Sequence, residues 1–278
     1  MIDMNRYISL AILLFATLFS WAGDDYKTDI SFSVCEKLVY YKSGSANPKY
    51  TTCRYRFDDI TKVGDYDLTA FKAALYKYFS AAPVSTPEAI LRQWSLPFPE
   101  MFEGELFEVN APVKVAPKAV SSDDEGLFPY GMPYENTSLT YDWYNSQAHV
   151  LALAYSRELD TGGGTGAAFI LSQSSYYYDF ELGHRLQLSD LFKGNYKSAL
   201  LKAVKQWLSA NADEICLLYD ISDISLSDTW VLQGNCIVFI YSKYEIACGA
   251  AGNIAVPIPS YELDSILLPK GRLLLGGN

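Results

Sequence analysis

The alternation of apolar and polar positions divides the chain into runs of two different periods. From Asp29 to Phe57 aromatic and β-branched residues dominate, and the run is broken once, at Ser43-Gly44-Ser45-Ala46-Asn47-Pro48. That pattern predicts a β-hairpin with arms at 30–41 and 50–57. The period then changes. Leu68, Phe71, Leu75, Tyr78 and Phe79 recur at helical spacing behind Asp67, which predicts an amphipathic helix capped by that aspartate. Ser85-Thr86-Pro87-Glu88 signals a second helix start, because proline is tolerated in a first turn and Ser85 with Glu88 has capping-box spacing.

Between 97 and 133 the periodicity disappears. Prolines recur and Ser121-Ser122-Asp123-Asp124-Glu125-Gly126 is polar and acidic, so a loop or linker is expected over 112–136. Strands follow at 139–144, 149–158, 167–171 and 176–182, and Gly183-His184 marks a turn. Leu200, Leu201, Val204, Trp207 and Leu208 give helical spacing over 196–208. Runs at 229–232 and 236–241 flank Gly234-Asn235, a short hairpin connection. A last strand is expected at 254–258 and a last short helix at 261–267. Strands that neighbour one another in sequence, with helices in clumps, predict an α+β fold. The expectation is antiparallel sheets with packed helices in two parts, an N-terminal one at 23–111 and a C-terminal one at 137–278.

The N-terminus changes the picture of location. Arg6 precedes an apolar run over 8–19, and Ser20-Trp21-Ala22 then supplies small residues where a signal peptidase reads. Residues 1–22 are therefore expected to be a signal peptide, with the mature chain exported to a periplasmic or extracellular setting and soluble after cleavage. The run is shorter than the roughly twenty residues of a membrane-spanning helix. No membrane span is expected in the mature chain. The charge balance, 22 Lys and Arg against 32 Asp and Glu for a formal −10, argues against nucleic acid as a partner.

Five cysteines suit an oxidising compartment. Cys35 and Cys53 sit on the two arms of the first hairpin with their midpoint at Gly44, which predicts a disulfide between opposed positions. Cys216, Cys236 and Cys248 form a second group whose pairing stays open. No Cys-x-x-Cys spacing exists and His149 and His184 are the only histidines, so neither a metal site nor another cofactor is expected.

Three stretches of the second half carry a family resemblance. They are Asp160-Thr161-Gly162-Gly163-Gly164-Thr165-Gly166; the run from Asp179-Phe180-Glu181 through Ser189-Asp190-Leu191-Phe192; and Phe239-Ile240-Tyr241-Ser242-Lys243-Tyr244-Glu245-Ile246-Ala247, followed by Gly249-Ala250-Ala251-Gly252 and Val256-Pro257-Ile258-Pro259. Together, over about 137–268, they resemble the extracellular lysozyme-sensing domain of a Gram-positive anti-sigma factor. The same module is the non-catalytic N-terminal part of some peptidoglycan deacetylases. The segment 29–79 resembles the companion domain that precedes it. Thr165 stands where family members commonly carry a histidine. The resemblance implies an exported α+β domain that binds something at the cell envelope, a lysozyme-like protein being one ligand class and peptidoglycan or another glycan the second.

Candidate chemistry in the residues themselves is sparse. The run Gly162–Gly166 lacks the Lys-Ser/Thr ending of a phosphate loop and reads as a hairpin turn. His149 and His184 have no local triad pattern and no Gly-x-Ser-x-Gly element is present, so no catalytic residue is assigned. Asp179 and Glu181 alternate on one predicted strand face, and carboxylates converging from distant segments would make a glycan or ester hydrolase the rival reading. A structural envelope protein is a third. The ring-rich loop holding Phe128, Tyr130 and Tyr134, together with Tyr176 and Tyr178, supplies the candidate ligand-binding residues, since rings give much contact area at small conformational cost. The expected function is a non-catalytic binding or sensing module of the bacterial envelope.

Overall fold

The structure, a computed structural model, describes residues 30–44, 46, 48–101, 106–110, 132–161 and 169–276. The expected signal peptide, Phe128, Tyr130 and the run Gly162–Gly166 lie outside the described residues. Strands β1 (Ile30–Ser43) and β2 (Tyr50–Val63) form the hairpin, each longer than its apolar signal. Its register corrects the predicted disulfide. Cys35 lies opposite Phe57 and Cys53 opposite Val39, so the two cysteines are four positions out of step, and both are free thiols. Four residues of strand span about 13 Å, well beyond the roughly 7 Å over which two Cα atoms can be bridged.

Helix α1 (Thr69–Phe79) buries Phe71, Leu75 and Tyr76. Asp67 prepares its first turn from one position further out than a cap: Oδ1 accepts the Thr69 hydroxyl at 2.7 Å and the Thr69 N–H at 2.9 Å. Helix α2 (Pro87–Ser95) is capped by Thr86, whose hydroxyl accepts the Ala89 N–H at 3.3 Å, and not by Ser85. Pro87 takes the first helical position, where its missing N–H costs nothing. Both helices lie on one face of the β1–β2 hairpin.

Strands β3 (Leu106–Val109), β4 (Tyr134–Asn145), β5 (Val150–Asp160), β6 (Phe169–Asp179) and β7 (His184–Arg185) complete a seven-stranded sheet of order β3-β1-β2-β4-β5-β6-β7. β6 is one strand where the pattern suggests two. Its central Ser172, Gln173, Ser174 and Ser175 interrupt the apolar signal while continuing to pair with β5. Every adjacent pair is antiparallel except β2–β4, which run parallel from Arg54↔Asn136 to Phe57↔Leu139. A single sheet therefore spans the two parts, and β4 starts at Tyr134, inside the expected linker.

The C-terminal layer holds α3 (Leu188–Leu191), α4 (Tyr196–Ala210), β8 (Trp230–Gln233), β9 (Cys236–Tyr241), β10 (Ile254–Pro259), α5 (Ser260–Leu263) and α6 (Pro269–Leu275). Its three strands form an antiparallel sheet of order β10-β9-β8, turned at Gly234 with φ +57°. The last helix expected over 261–267 is cut short, since α5 ends at Leu263, and a further helix beyond that span, α6, begins at Pro269. Gly271 lets α6 close on α3, since a Cβ there would strike the Leu191 carbonyl.

Two apolar cores result. One joins α1 and α2 to the inner face of the large sheet through Tyr55, Phe57, Phe71, Leu75 and Ile90. The other joins α4 and the small sheet to the opposite face through Val150, Ala152, Leu200, Val204 and Phe239. Each Val, Leu, Ile or Phe among them contributes about 1.5–3 kcal/mol by leaving water. At β5 successive residues feed alternate cores, Val150 and Ala152 one, Leu151 and Leu153 the other. Along β1 the two sides differ: Val39 and Tyr41 are buried, whereas Val34 and Leu38 are 52% and 39% exposed and Phe32, 41% exposed, stacks on Tyr141. Among the described residues no helix is long and apolar enough to cross a membrane.

Candidate functional site

The titratable groups singled out in the sequence gather at one end of the large sheet, where β4 turns into β5 and β6 into β7. Asp179 is fully buried at the end of β6. Its Oδ1 accepts the backbone N–H groups of Glu181 and Leu182, both at 2.9 Å, which folds the turn. Its Oδ2 accepts from the Lys270 ammonium on α6, which also reaches Glu181 at 3.1 Å. Burial pulls the Lys270 ammonium down, but the Asp179 and Glu181 carboxylates outweigh it and hold the group above its ordinary value. Asp179 and Glu181 do not alternate on a strand, since β6 ends at Asp179 and Glu181 lies in the turn that follows, and it is Lys270 that brings the two carboxylates together.

His149 closes the β4–β5 turn with φ +57°, a backbone region that few non-glycine residues occupy. Asn145 steadies that turn by accepting the Gln147 and Ala148 N–H groups. The His149 Nδ1 meets the Tyr66 hydroxyl at 2.7 Å, and Phe180 stacks on Tyr66 with ring centroids 4.7 Å apart. His184 is about half exposed, with Nδ1 3.9 Å from Asp190 and 2.9 Å from the Arg185 carbonyl. The two histidines thus engage different partners. Neither contacts a serine or cysteine nucleophile among the described residues, and the two carboxylates already share an ammonium. General base and nucleophile do not meet here.

A second buried carboxylate lies on the inner face between β2 and β5. Glu135 accepts from the Tyr55 hydroxyl at 3.0 Å and from Arg157 Nε at 2.5 Å, and its own N–H donates to the Cys53 sulfur at 3.3 Å. Burial first, then the Glu135 charge, drives the Tyr55 phenol far above its ordinary value. Burial likewise pushes the Cys53 thiol up to about 12, so this cysteine is an inert packing group. Asp142, the bulge residue of β4 between Tyr141 and Trp143, is pushed up to about 6 by burial alone.

The aromatic candidates separate. Tyr176 and Tyr178 are 1% and 2% exposed and pack in the inner core, which removes them from any surface a ligand could touch. Tyr177 fills the opposite core, between Trp143 and Trp230. Alternation cannot tell a wet face from a dry one, and both faces of β6 are dry here. Tyr134 differs. It opens β4 on the side of Asn136 and Arg54, away from the inner core, and its hydroxyl donates to Glu158 at 2.8 Å. The same outer face carries Val34 and Leu38 of β1, with the Glu36–Arg54 ion pair at 3.1 Å between them. A separate open groove of about 470 Å³ on α4 is lined by Leu201, Lys202, Lys205, Gln206 and Ile221 and contains no acid or histidine. Among the described residues no group of three or more His, Cys, Asp or Glu could hold a metal ion.

Residues 189–261 match a family described as "Protein of unknown function (DUF3298)". That span runs from α3 to the start of α5 and covers the small sheet and α4. Two solved structures have a similar fold over most of the chain. A DUF3298 family member from Bacteroides fragilis has 17% identity and a TM-score of 0.56, covering 89% of this chain and 98% of its own. A DUF3298 family protein from Pseudomonas aeruginosa has 16% identity and a TM-score of 0.52, with the same coverage. No curated protein sequence matches the chain. The likeness extends to the β1–β2 half, although the family match itself ends at the C-terminal layer.

The residues that sequence reasoning missed are the distant partners. Lys270 and Tyr66 complete the two clusters from segments 91 and 83 residues away. No local motif marks either one. Their only signal is chemical: a buried carboxylate requires a counter-charge, without saying which.

Proposed function

We propose that the protein is a non-catalytic binding or sensing module, exported to the bacterial envelope, which recognises a basic, lysozyme-like protein through the outer face of β1, β2 and β4. The observation that carries this reading is the uncovered half of the sheet. Val34 and Leu38 stand 52% and 39% exposed on that face, and Phe32, 41% exposed, stacks on Tyr141 at its edge. Tyr134 and the Glu36–Arg54 pair border it. Exposed apolar side chains rimmed by charge are the usual anatomy of a protein-binding patch. A formal charge of −10 favours encounter with a cationic partner. The resemblance over 137–268 supports the ligand class, and the apolar run ahead of Ala22 supports export.

The rival hydrolase reading loses support from the same geometry, because Asp179 and Glu181 hold Lys270 and leave His149 to Tyr66. The test is a calorimetric titration of the full chain with a basic lysozyme and, in parallel, with soluble peptidoglycan fragments. Saturable lysozyme binding that weakens with salt and falls at least tenfold in Val34→Glu and Leu38→Glu supports the proposal. Binding to glycan alone, turnover of the glycan, or no saturable binding to either would overturn it.

A further inference from the structure

Of the five thiols, two face one another. The segment Cys216-Leu217-Leu218 runs antiparallel to Ile246-Ala247-Cys248, bridged at Leu217↔Ala247. The Cys248 N–H donates to the Cys216 carbonyl at 2.8 Å and the Leu218 N–H to the Ile246 carbonyl at 2.9 Å. That pattern sets Cys216 and Cys248 directly opposite each other. Opposed residues of this kind have Cα atoms about 5.5 Å apart and side chains on the same face. The separation falls inside the window in which a disulfide closes by side-chain rotation alone.

The other cysteines are excluded by register. Cys236 lies opposite Gln233 and Pro259, and its thiol points at Asn235. Cys35 and Cys53 are four positions out of step. The backbone that presents the facing pair is held: Ile246 and Ala247 are 4% and 1% exposed, and the Glu245 carboxylate accepts the Ser242 N–H at 2.7 Å. The Tyr244 ring lies so closely over Gly249 that a Cβ there would enter it. Both sulfurs nonetheless remain reachable, Cys216 exposed and Cys248 partly so.

We propose that Cys216 and Cys248 form a redox-active pair that closes to a disulfide by exchange with a disulfide-bearing oxidant, stapling the segment after α4 to the turn after β9. The Cys248 thiolate attacks one sulfur of the oxidant and expels the other as a thiolate, giving a mixed disulfide. Cys216 then attacks the Cys248 sulfur, the new S–S bond forms, and the second oxidant sulfur leaves. Two electrons reduce the oxidant's disulfide to two thiols, which take up the two protons lost by Cys216 and Cys248. The neighbouring Cys216 thiol lowers Cys248 from its ordinary value, while Cys248 raises Cys216, which fits Cys248 as the attacking member. This inference is independent of the proposed binding face.

The test is thiol counting and peptide mapping of the full chain after equilibration with oxidised or reduced glutathione. Counted after denaturation, oxidation is expected to reduce five thiols to three, five less the pair, and to yield a linked 216–248 peptide two mass units lighter than its reduced parts. The midpoint of thermal unfolding is expected to rise by roughly 5–10 °C on oxidation, and not at all in Cys216→Ser or Cys248→Ser. Five thiols surviving oxidised glutathione would overturn the proposal. So would a linked peptide involving Cys35, Cys53 or Cys236, or an unchanged midpoint despite complete 216–248 linkage.

Discussion

One sheet has two ends with different environments. Over Val150–Leu153 of β5 and Tyr176–Asp179 of β6 successive residues are buried on alternate sides, so Tyr176, Tyr177 and Tyr178 all lie in a core. Along β1 and the first half of β2 the alternation persists, but there only the side facing α2 is dry, until Asp58 is buried on the other side beside Tyr141. The same local pattern thus produces a doubly covered wall and a half-open platform. The difference comes from the C-terminal layer, which reaches β5 and β6 but not β1. What a strand's outer residues do is decided by elements far away in sequence.

The sharpest way to break this contrast is to remove a ring from the covered end. Tyr177 lies 5.2 Å from Trp230 and 5.6 Å from Trp143, and its hydroxyl accepts the Leu232 N–H at 2.6 Å. Tyr177→Ala is expected to cost about 3–5 kcal/mol, read by denaturant unfolding. Tyr177→Phe should cost only about 1–2 kcal/mol, the price of one unmet buried donor.

Lys270→Met tests the same end electrostatically. It strands Asp179, fully buried, with only backbone donors, and should cost about 3–5 kcal/mol. Lys270→Met combined with Asp179→Leu should recover much of that loss. A single variant as stable as the parent would show that Asp179 is neutralised without Lys270.

A change in the opposite direction is expected at Asp142. Its folded value of about 6 lies above the ordinary 3.8, so the folded protein holds more protons than the unfolded chain between those limits. Stability contributed by the neutral form is present below about pH 4 and is lost as pH rises through about 6. Asp142→Asn is therefore expected to stabilise the protein at pH 7 by about 2–3 kcal/mol and to have little effect at pH 4. Equal effects at both pH values would show that packing, not charge, sets the difference.

The smallest effect belongs to the open end. Val34→Glu and Leu38→Glu should change unfolding stability by no more than about 0.5 kcal/mol, because exposed side chains surrender little on substitution. Losses comparable to Tyr177→Ala would mean that the platform is covered after all.

Much of this architecture is readable in local patterns, and the exceptions share a cause. The β1–β2 hairpin, α1, α4 and the β8–β9 turn at Gly234 follow from period and turn chemistry. β6 was split by its serines because backbone pairing, which holds it together, leaves no trace in side-chain hydropathy. The parallel β2–β4 join and the shared sheet are likewise invisible to local periodicity. Cys35 and Cys53 misled because symmetry about Gly44 suggested a register that the actual turn, with Tyr50 opposite Lys42, shifts by four residues. At the candidate site, Asp179, Glu181 and His149 were legible as chemistry but not as partners. The rings of Tyr176 and Tyr178 suggest contact with a ligand, and only the packing of α1 against β6 shows that they are buried.

The parallel seam between β2 and β4 has a consequence for how the chain assembles. Cys53 and Glu135, which touch across it, are 82 residues apart in sequence. Neither half can complete its wall until that long excursion has closed, which makes a slow, late step of the central zipper. A fragment cut at residue 137 would carry β5 and β6 intact yet leave a bare row of amides and carbonyls along what remains of β4. Such a fragment should seek a neighbour edge to edge and clump, whereas the unbroken polypeptide supplies its own capping strand.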